Sequence, residues 1–238
     1  MFYDWLTYFW PQLQNPWIVQ YGVFNLPWLF VLLQPLRLLG PYGSVIALEF
    51  MAVLVIIKLG KMLRLSLIHL LMVIFSPPVL WNLFMGQIDG IMLMAYLLSS
   101  YFAVGFMLSK PQSNLGAGVY AIYKQPFSLL VIVFLLGTAW AIWGWPFSIT
   151  GKEAMGPLFQ FNVNKWNWSY WPLGIIAIPM LFAKDKRYRM FVSPFLFPYA
   201  AVQSLIAPLL AVATLPIWVF LPVWCMMWAR WFYMMNYL

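Results

Sequence analysis

Residues 26–39 read Leu-Pro-Trp-Leu-Phe-Val-Leu-Leu-Gln-Pro-Leu-Arg-Leu-Leu, an apolar stretch of 14 residues broken by Pro35 and Arg37. As a helix it would reach only ~21 Å, short of the ~30 Å hydrocarbon core of a bilayer. It therefore reads as a helix lying in the membrane interface or re-entering it, and not as a crossing. Everything downstream inherits its sidedness from that choice.

The surrounding composition demands a membrane. The 238 residues are 65% hydrophobic and 8% charged, with a mean hydropathy of +0.85. A soluble domain would carry about 25% charged residues, and a disordered chain would be more polar still. Unbroken apolar runs such as 129–136 exclude the apolar–polar alternation of barrel strands. The reading is all-α: a polytopic transmembrane helical bundle of about seven spans at ~20 residues each, plus an N-terminal interfacial helix. It forms a single integral membrane domain, 1–238, with 1–41 an external interfacial segment and 42–230 the bundle. The expected spans are 42–58, 65–81 (interrupted by Ser76-Pro77-Pro78), 87–108, 127–146, 171–183, and two within 190–229 that turn near Pro208 to Pro216. Asn82 to Gly86 reads as a tight loop, and 110–124 as a semi-polar connection with a short helix. No internal repeat is seen. The opening Met1-Phe2-Tyr3-Asp4 has neither the basic region nor the small-residue cleavage site of a signal peptide, so none is expected.

The charges set the topology. If the linker carrying Lys58, Lys61 and Arg64 is cytoplasmic and the spans alternate, then Lys110, Lys124, Lys184, Lys186, Arg187, Arg189 and Arg230 also fall inside. That places ten of the thirteen basic residues in the cytoplasm, as the positive-inside bias requires. Arg37, Lys152 and Lys165 fall outside, with Asp4, Asp89 and Glu153. The expectation is an integral protein of a bacterial or archaeal cytoplasmic membrane, N-terminus outside and C-terminus inside. The net charge of +8 reflects this topology, and no nucleic-acid partner is expected. The single cysteine, Cys225, and the absence of a CxxC pattern exclude an internal disulfide and a cysteine metal site. No metal site and no cofactor are expected.

Few ionisable residues remain to carry chemistry. Asp4 sits among Tyr3, Trp5 and Tyr8; it reads as a general base at the membrane surface or as an exposed acid favoured by a helix dipole. Asp89, in Gly86-Gln87-Ile88-Asp89-Gly90, reads as a cavity-facing acid at the outer mouth of a span or as a helix cap. Glu49 is mid-span, where carboxylates are costly and suggest function; His69, on the next span, is its candidate partner. A pigment or haem on the lone His69 is not expected. Lys152 and Lys165 suit a lipid phosphate or a solvated loop. Asn167-Trp168-Ser169 matches a glycosylation sequon, a pattern frequent by chance.

The order of Asp4 in an aromatic stretch, the Pro-containing segment 26–39, Gly86-Gln87-Ile88-Asp89, the small-residue run 116–126 and Ser193-Pro194-Phe195-Leu196-Phe197-Pro198-Tyr199 resembles the GT-C type polyprenyl-phosphate-dependent glycosyltransferases, most closely glycosyltransferase family 87. In that family a Gly-Gln-Asn-like motif opens one span and a Lys-Pro-Gln-like motif the span after next, here read in permuted form as Lys124-Gln125-Pro126. The resemblance implies transfer of a sugar from a polyprenyl phosphate to a lipid or glycan acceptor at the outer face. It implies Asp4 as catalytic base, Gln87 and Asp89 lining the cavity, and Lys152 or Lys165 holding the phosphate. The span that precedes the catalytic loop in such enzymes has no counterpart ahead of Asp4, and a second acid beside it is not evident. Two other readings stand beside this one. One is a non-catalytic transmembrane subunit of a larger assembly, packing against partner helices, lipids or pigments. The other is a transporter, against which the lack of repeats argues.

Overall fold

The computed structural model describes residues 1–18, 25–144, 177–196 and 201–235, and every regular element among them is helical. A π-helical turn, Trp5–Phe9, leads into α1 (Trp10–Gln14). Then follow α2 (Trp28–Leu32), a 3-10 segment (Gln34–Leu39), α3 (Gly40–Met62), α4 (Leu67–Ile74), α5 (Pro77–Met85) and α6 (Asp89–Met92). A 3-10 turn (Leu93–Tyr96) precedes α7 (Ser100–Ser109), α8 (Pro111–Lys124) and α9 (Leu129–Trp143). The 3-10 turn Pro126–Ser128 before α9, the 3-10 segment Ile178–Phe182, α10 (Lys186–Val192), the 3-10 turns Ser193–Leu196 and Val202–Leu205, α11 (Ile206–Val212) and α12 (Ile217–Met235) complete the described elements.

The all-α class stands, but the expectation of about seven spans does not. Among the described residues two helices are long and apolar enough to cross a membrane, Gln34–Met62 and Pro126–Trp143. The pair α4 and α5, bent by 47°, is a third if taken as one broken span. The cause is local. Ser66 caps α4, its hydroxyl accepting from the His69 N–H at 3.4 Å. Ser76-Pro77-Pro78 then ends that helix and opens the next, because proline is tolerated only in a helix's first turn. α12 has 19 residues but is interrupted by Pro222 and rich in tryptophan. The expected fifth span, 171–183, lies largely outside the described residues.

Two further boundaries are corrected. Residues 26–39 do not form one separate surface helix. Trp28–Leu32 is a short helix of its own, while Gln34–Leu39 runs on into α3 to make a continuous span of 29 residues. Pro35 and Pro41 both fall at helix-opening positions, where the missing N–H costs nothing, so neither breaks the span. The N-terminal stretch is likewise not a surface layer. Trp5, Phe9 and Leu13 are buried with Leu29, Phe30, Val45, Leu48 and Ile88 in one core cluster. A second cluster gathers Val55, Ile56 and Leu59 with Val79, Leu93, Met190, Leu210 and Phe220. α3 threads both clusters and is the spine of the molecule. α9, by contrast, leaves Leu130, Val133, Phe134 and Trp140 exposed, a face suited to lipid and not to water.

The expected span 87–108 folds back on itself. α7 has ten residues, about 15 Å of helix. α8 pairs with it antiparallel across the turn at Lys110: a Cβ at Gly118 would press on the Met107 side chain, and the Gln125 amide donates to the Tyr101 hydroxyl at 2.9 Å. The segment 110–124, expected as a connection, is a helix of 14 residues from Pro111 to Lys124.

Candidate functional site

Two glycines bring the site together. Asn82 to Gly86, expected as a loop, is the last turn of α5 with Gly86 as its left-handed cap at φ +70. A Cβ there would stand 2.7 Å from Trp5 Cβ and 3.0 Å from Val45 Cγ2. At Gly90 a Cβ would meet Ala52 Cβ at 2.7 Å. Only glycine lets this loop lie against both the N-terminal turn and the middle of α3.

Asn82 then locks the loop. Its side-chain amide donates to Glu49 Oε2 at 2.8 Å and to the Gln87 carbonyl at 3.1 Å, while its Oδ1 accepts the Gly90 N–H at 3.0 Å. The Gln87 N–H returns to the Asn82 carbonyl at 2.9 Å. The Gln87 side chain donates to Asp4 Oδ2. Asp4 is held in place from both flanks. The Phe2 N–H donates to the Phe84 carbonyl at 2.6 Å, and Trp5 Nε1 donates to Ser44 Oγ at 3.0 Å. Burial pushes the Asp4 carboxyl above the usual carboxylate range; the Gln87 hydrogen bond and the Lys110 charge pull it down, and Asp89 pushes it up.

Asp89 is fully buried at 0% exposure. Its Oδ1 accepts from Ser113 Oγ at 2.8 Å and Ser204 Oγ at 3.0 Å, and its Oδ2 lies 3.0 Å from Lys110 Nζ. Ser113 is on α8 and Ser204 on the turn before α11, so one carboxylate joins three parts of the fold. The reading that put Asp89 and Lys110 on opposite faces is thereby corrected, because the α7 fold-back returns Lys110 to the level of Asp89. Asp89 is not a side-chain helix cap either.

Of the sequence-derived candidates, Asp4, Gln87, Asp89 and Glu49 meet here. His69 does not join them. Its Nδ1 lies 2.6 Å from Ser66 Oγ and its ring stacks on Phe220 at 5.6 Å, so the expected pairing with Glu49 is not made. Lys152, Lys165 and the sequon at Asn167 lie outside the described residues. Sequence reasoning missed Asn82, Lys110, Ser113 and Ser204. Lys110 reaches the acid cluster through the α7 fold-back, whereas Lys124 lies by Tyr120 and Tyr123. Asp89 lies within electrostatic reach of Asp4.

An apolar groove of about 420 Å³ runs between α2, α7 and α9, lined by Leu26, Trp28, Phe106, Phe134 and Leu135 among others. Ser109, the residue before Lys110, is also in its lining. Among the described residues no group of three or more His, Cys, Asp or Glu is placed to hold a metal ion. Compared with known proteins, the chain matches no protein-family model, no curated protein and no solved structure.

Proposed function

We propose that the chain is a GT-C-like integral membrane protein, its basic end in the cytoplasm, that transfers a sugar from a polyprenyl phosphate to a hydroxyl acceptor at the outer side. The observation that supports this reading most is the convergence of Asp4, Gln87, Asp89 and Lys110 at one partly buried site. Three separate stretches supply them: the N-terminal turn, the Gly86–Gly90 loop and Lys110-Pro111-Gln112.

In this reading Asp4 removes the acceptor hydroxyl proton, and the oxygen attacks the anomeric carbon. The bond from that carbon to the phosphate oxygen breaks, and the phosphate leaves with the electron pair. Burial raises the affinity of the Asp4 carboxyl for a proton, which suits a base. Gln87 orients the carboxylate through Oδ2. Lys110, whose side chain is 14% exposed, supplies the positive charge that favours a phosphate leaving group, and Lys152 or Lys165 would add to it. The apolar groove, which has Ser109 in its lining, suits the polyprenyl chain. Asp4→Asn should abolish transfer in proteoliposomes carrying a polyprenyl-phosphate sugar while leaving the fold intact. Full activity in that variant would remove Asp4 from the mechanism.

The second reading is the non-catalytic membrane subunit. The observation in its favour is that both Asp89 oxygens are already engaged by Ser113, Ser204 and Lys110, as in a purely architectural ion pair. Under this reading neither Asp4→Asn nor Gln87→Ala changes any transfer, and the chain purifies only with its partners.

A further inference from the structure

Among the described residues, Lys58, Lys61, Arg64, Lys124, Lys184, Lys186, Arg187 and Arg189 gather at one end of the bundle, and contacts connect the segments that carry them. The last turns of α3 bear Lys58 and Lys61, and the turn after it bears Arg64, all exposed. Lys186, at the start of α10, sets its ammonium 2.7 Å from Sδ of Met62, the last residue of α3. Lys184 lies just before α10, and Arg187 and Arg189 lie on it. The Arg189 guanidinium lies over the Tyr120 ring at 3.7 Å, and Lys124 lies 5.3 Å from the Tyr123 ring. Tyr123 in turn meets Phe182 edge-on at 5.6 Å, just before the loop.

Three chain segments therefore build one cationic surface. Its one acid, Asp185, is taken by Arg187. Among the described residues no carboxylate pairs with Lys58, Lys61, Arg64, Lys124 or Lys184. The cations also crowd each other: burial and the charge of Arg189 hold Lys186 below the usual lysine range. Around them Phe182, Tyr123, Phe127 and Tyr188 are exposed. Unpaired ammonium groups ringed by aromatic side chains fit the phosphates and interfacial layer of a membrane leaflet. A soluble acidic partner would not account for the aromatic fringe.

We propose that this end of the bundle binds the headgroups of anionic phospholipids, holding a shell of them against the turn after α3 and the loop before α10. The surface rests on the membrane placement proposed above and not on any chemistry at Asp4.

The test uses the full chain in mixed micelles with equal amounts of phosphatidylglycerol and phosphatidylcholine, followed by native mass spectrometry of the retained lipids. Phosphatidylglycerol should be retained severalfold over phosphatidylcholine. The triple variant Lys58→Gln, Lys61→Gln, Lys184→Gln should bring that ratio close to one, since each basic residue near an anionic surface contributes about fivefold. The matched Lys→Arg triple should keep the preference, which separates lost charge from lost fold. Arg37→Gln, an exposed cation before α3 and away from this end, should leave it unchanged. Equal retention of the two lipids by the unaltered chain, or an undiminished preference in the Gln triple, overturns the proposal. So does displacement of the retained lipid by millimolar inorganic phosphate, which would mark a small-anion pocket instead.

Discussion

Lys110 Nζ lies 3.0 Å from Asp89 Oδ2, in a pair of which the acid is wholly buried and the lysine nearly so. A single span from 87 to 108 would hold these two charges on opposite sides of a membrane. Their contact instead folds α7 and α8 into a hairpin whose tip lies beside the Gly86–Gly90 loop. Breaking the pair from one side leaves a buried charge without its counterion, at a cost of about 3–5 kcal/mol. Lys110→Met should therefore lower the thermal unfolding midpoint in detergent sharply. Lys110→Met combined with Asp89→Asn should recover much of the loss. Equal losses in the single and double variants would show that the charges do not stabilise one another.

Asn82→Leu removes the partner of Glu49 Oε2, of the Gly90 N–H and of the Gln87 carbonyl together. Each orphaned group costs about 1–3 kcal/mol. Chemical unfolding of this variant should show a loss of at least that size, and hydrogen exchange should place the loosening at Gly86–Gly90. A variant as stable as the parent chain would remove Asn82 from its role as the lock of the loop.

Gly86→Ala puts a Cβ on a left-handed residue, ~1–2 kcal/mol of backbone strain, and presses it against Trp5. The N-terminal turn should be pushed off the bundle, so limited proteolysis should cut within residues 1–14 much faster than in the parent chain. If cutting there is unchanged, the turn is not held by the close approach at Gly86.

The Asp4 carboxyl has a folded-state proton affinity above its unfolded one. Its contribution to docking of the N-terminal turn is therefore fully present below the usual carboxylate range, about pH 4, and is lost as pH rises through the raised folded value. Protease protection of residues 1–14 should fall as pH rises from about pH 4 through the raised folded value. In Asp4→Asn that dependence should disappear. A transfer reaction that uses Asp4 as base would show the opposite trend, rising with pH over the same window.

Much of the architecture was legible in the residues. Long apolar runs require helices and Ser76-Pro77-Pro78 shows the break between α4 and α5, but of the turn expected near Pro208 to Pro216 only 213–216 separate α11 from α12, and Pro208 lies inside α11. The fold-back of 87–124 was not legible, because hydropathy sees a short apolar helix but not whether the next one continues or returns. The same blindness hides Lys110, because reading 87–108 as one span sets it a membrane's thickness from the Asp89 it contacts. Asp4, Gln87, Asp89 and Glu49 were found as single residues by the rarity of polar groups in an apolar chain. Their convergence depends on Gly86 and Gly90, whose tight approaches to Trp5 and Ala52 exist only once the helices are packed.

The hydrogen bond from Gln87 to Asp4 joins residues 83 positions apart, which has a consequence for biogenesis. At roughly 5–20 residues per second of synthesis, Asp4 is made some 4–17 s before Gln87. During that interval Trp5, Phe9 and Leu13 have no bundle to bury against. An early-made segment would thus be among the last to settle, and the polar cluster would be complete only after α3, α5 and α6 are in place around it.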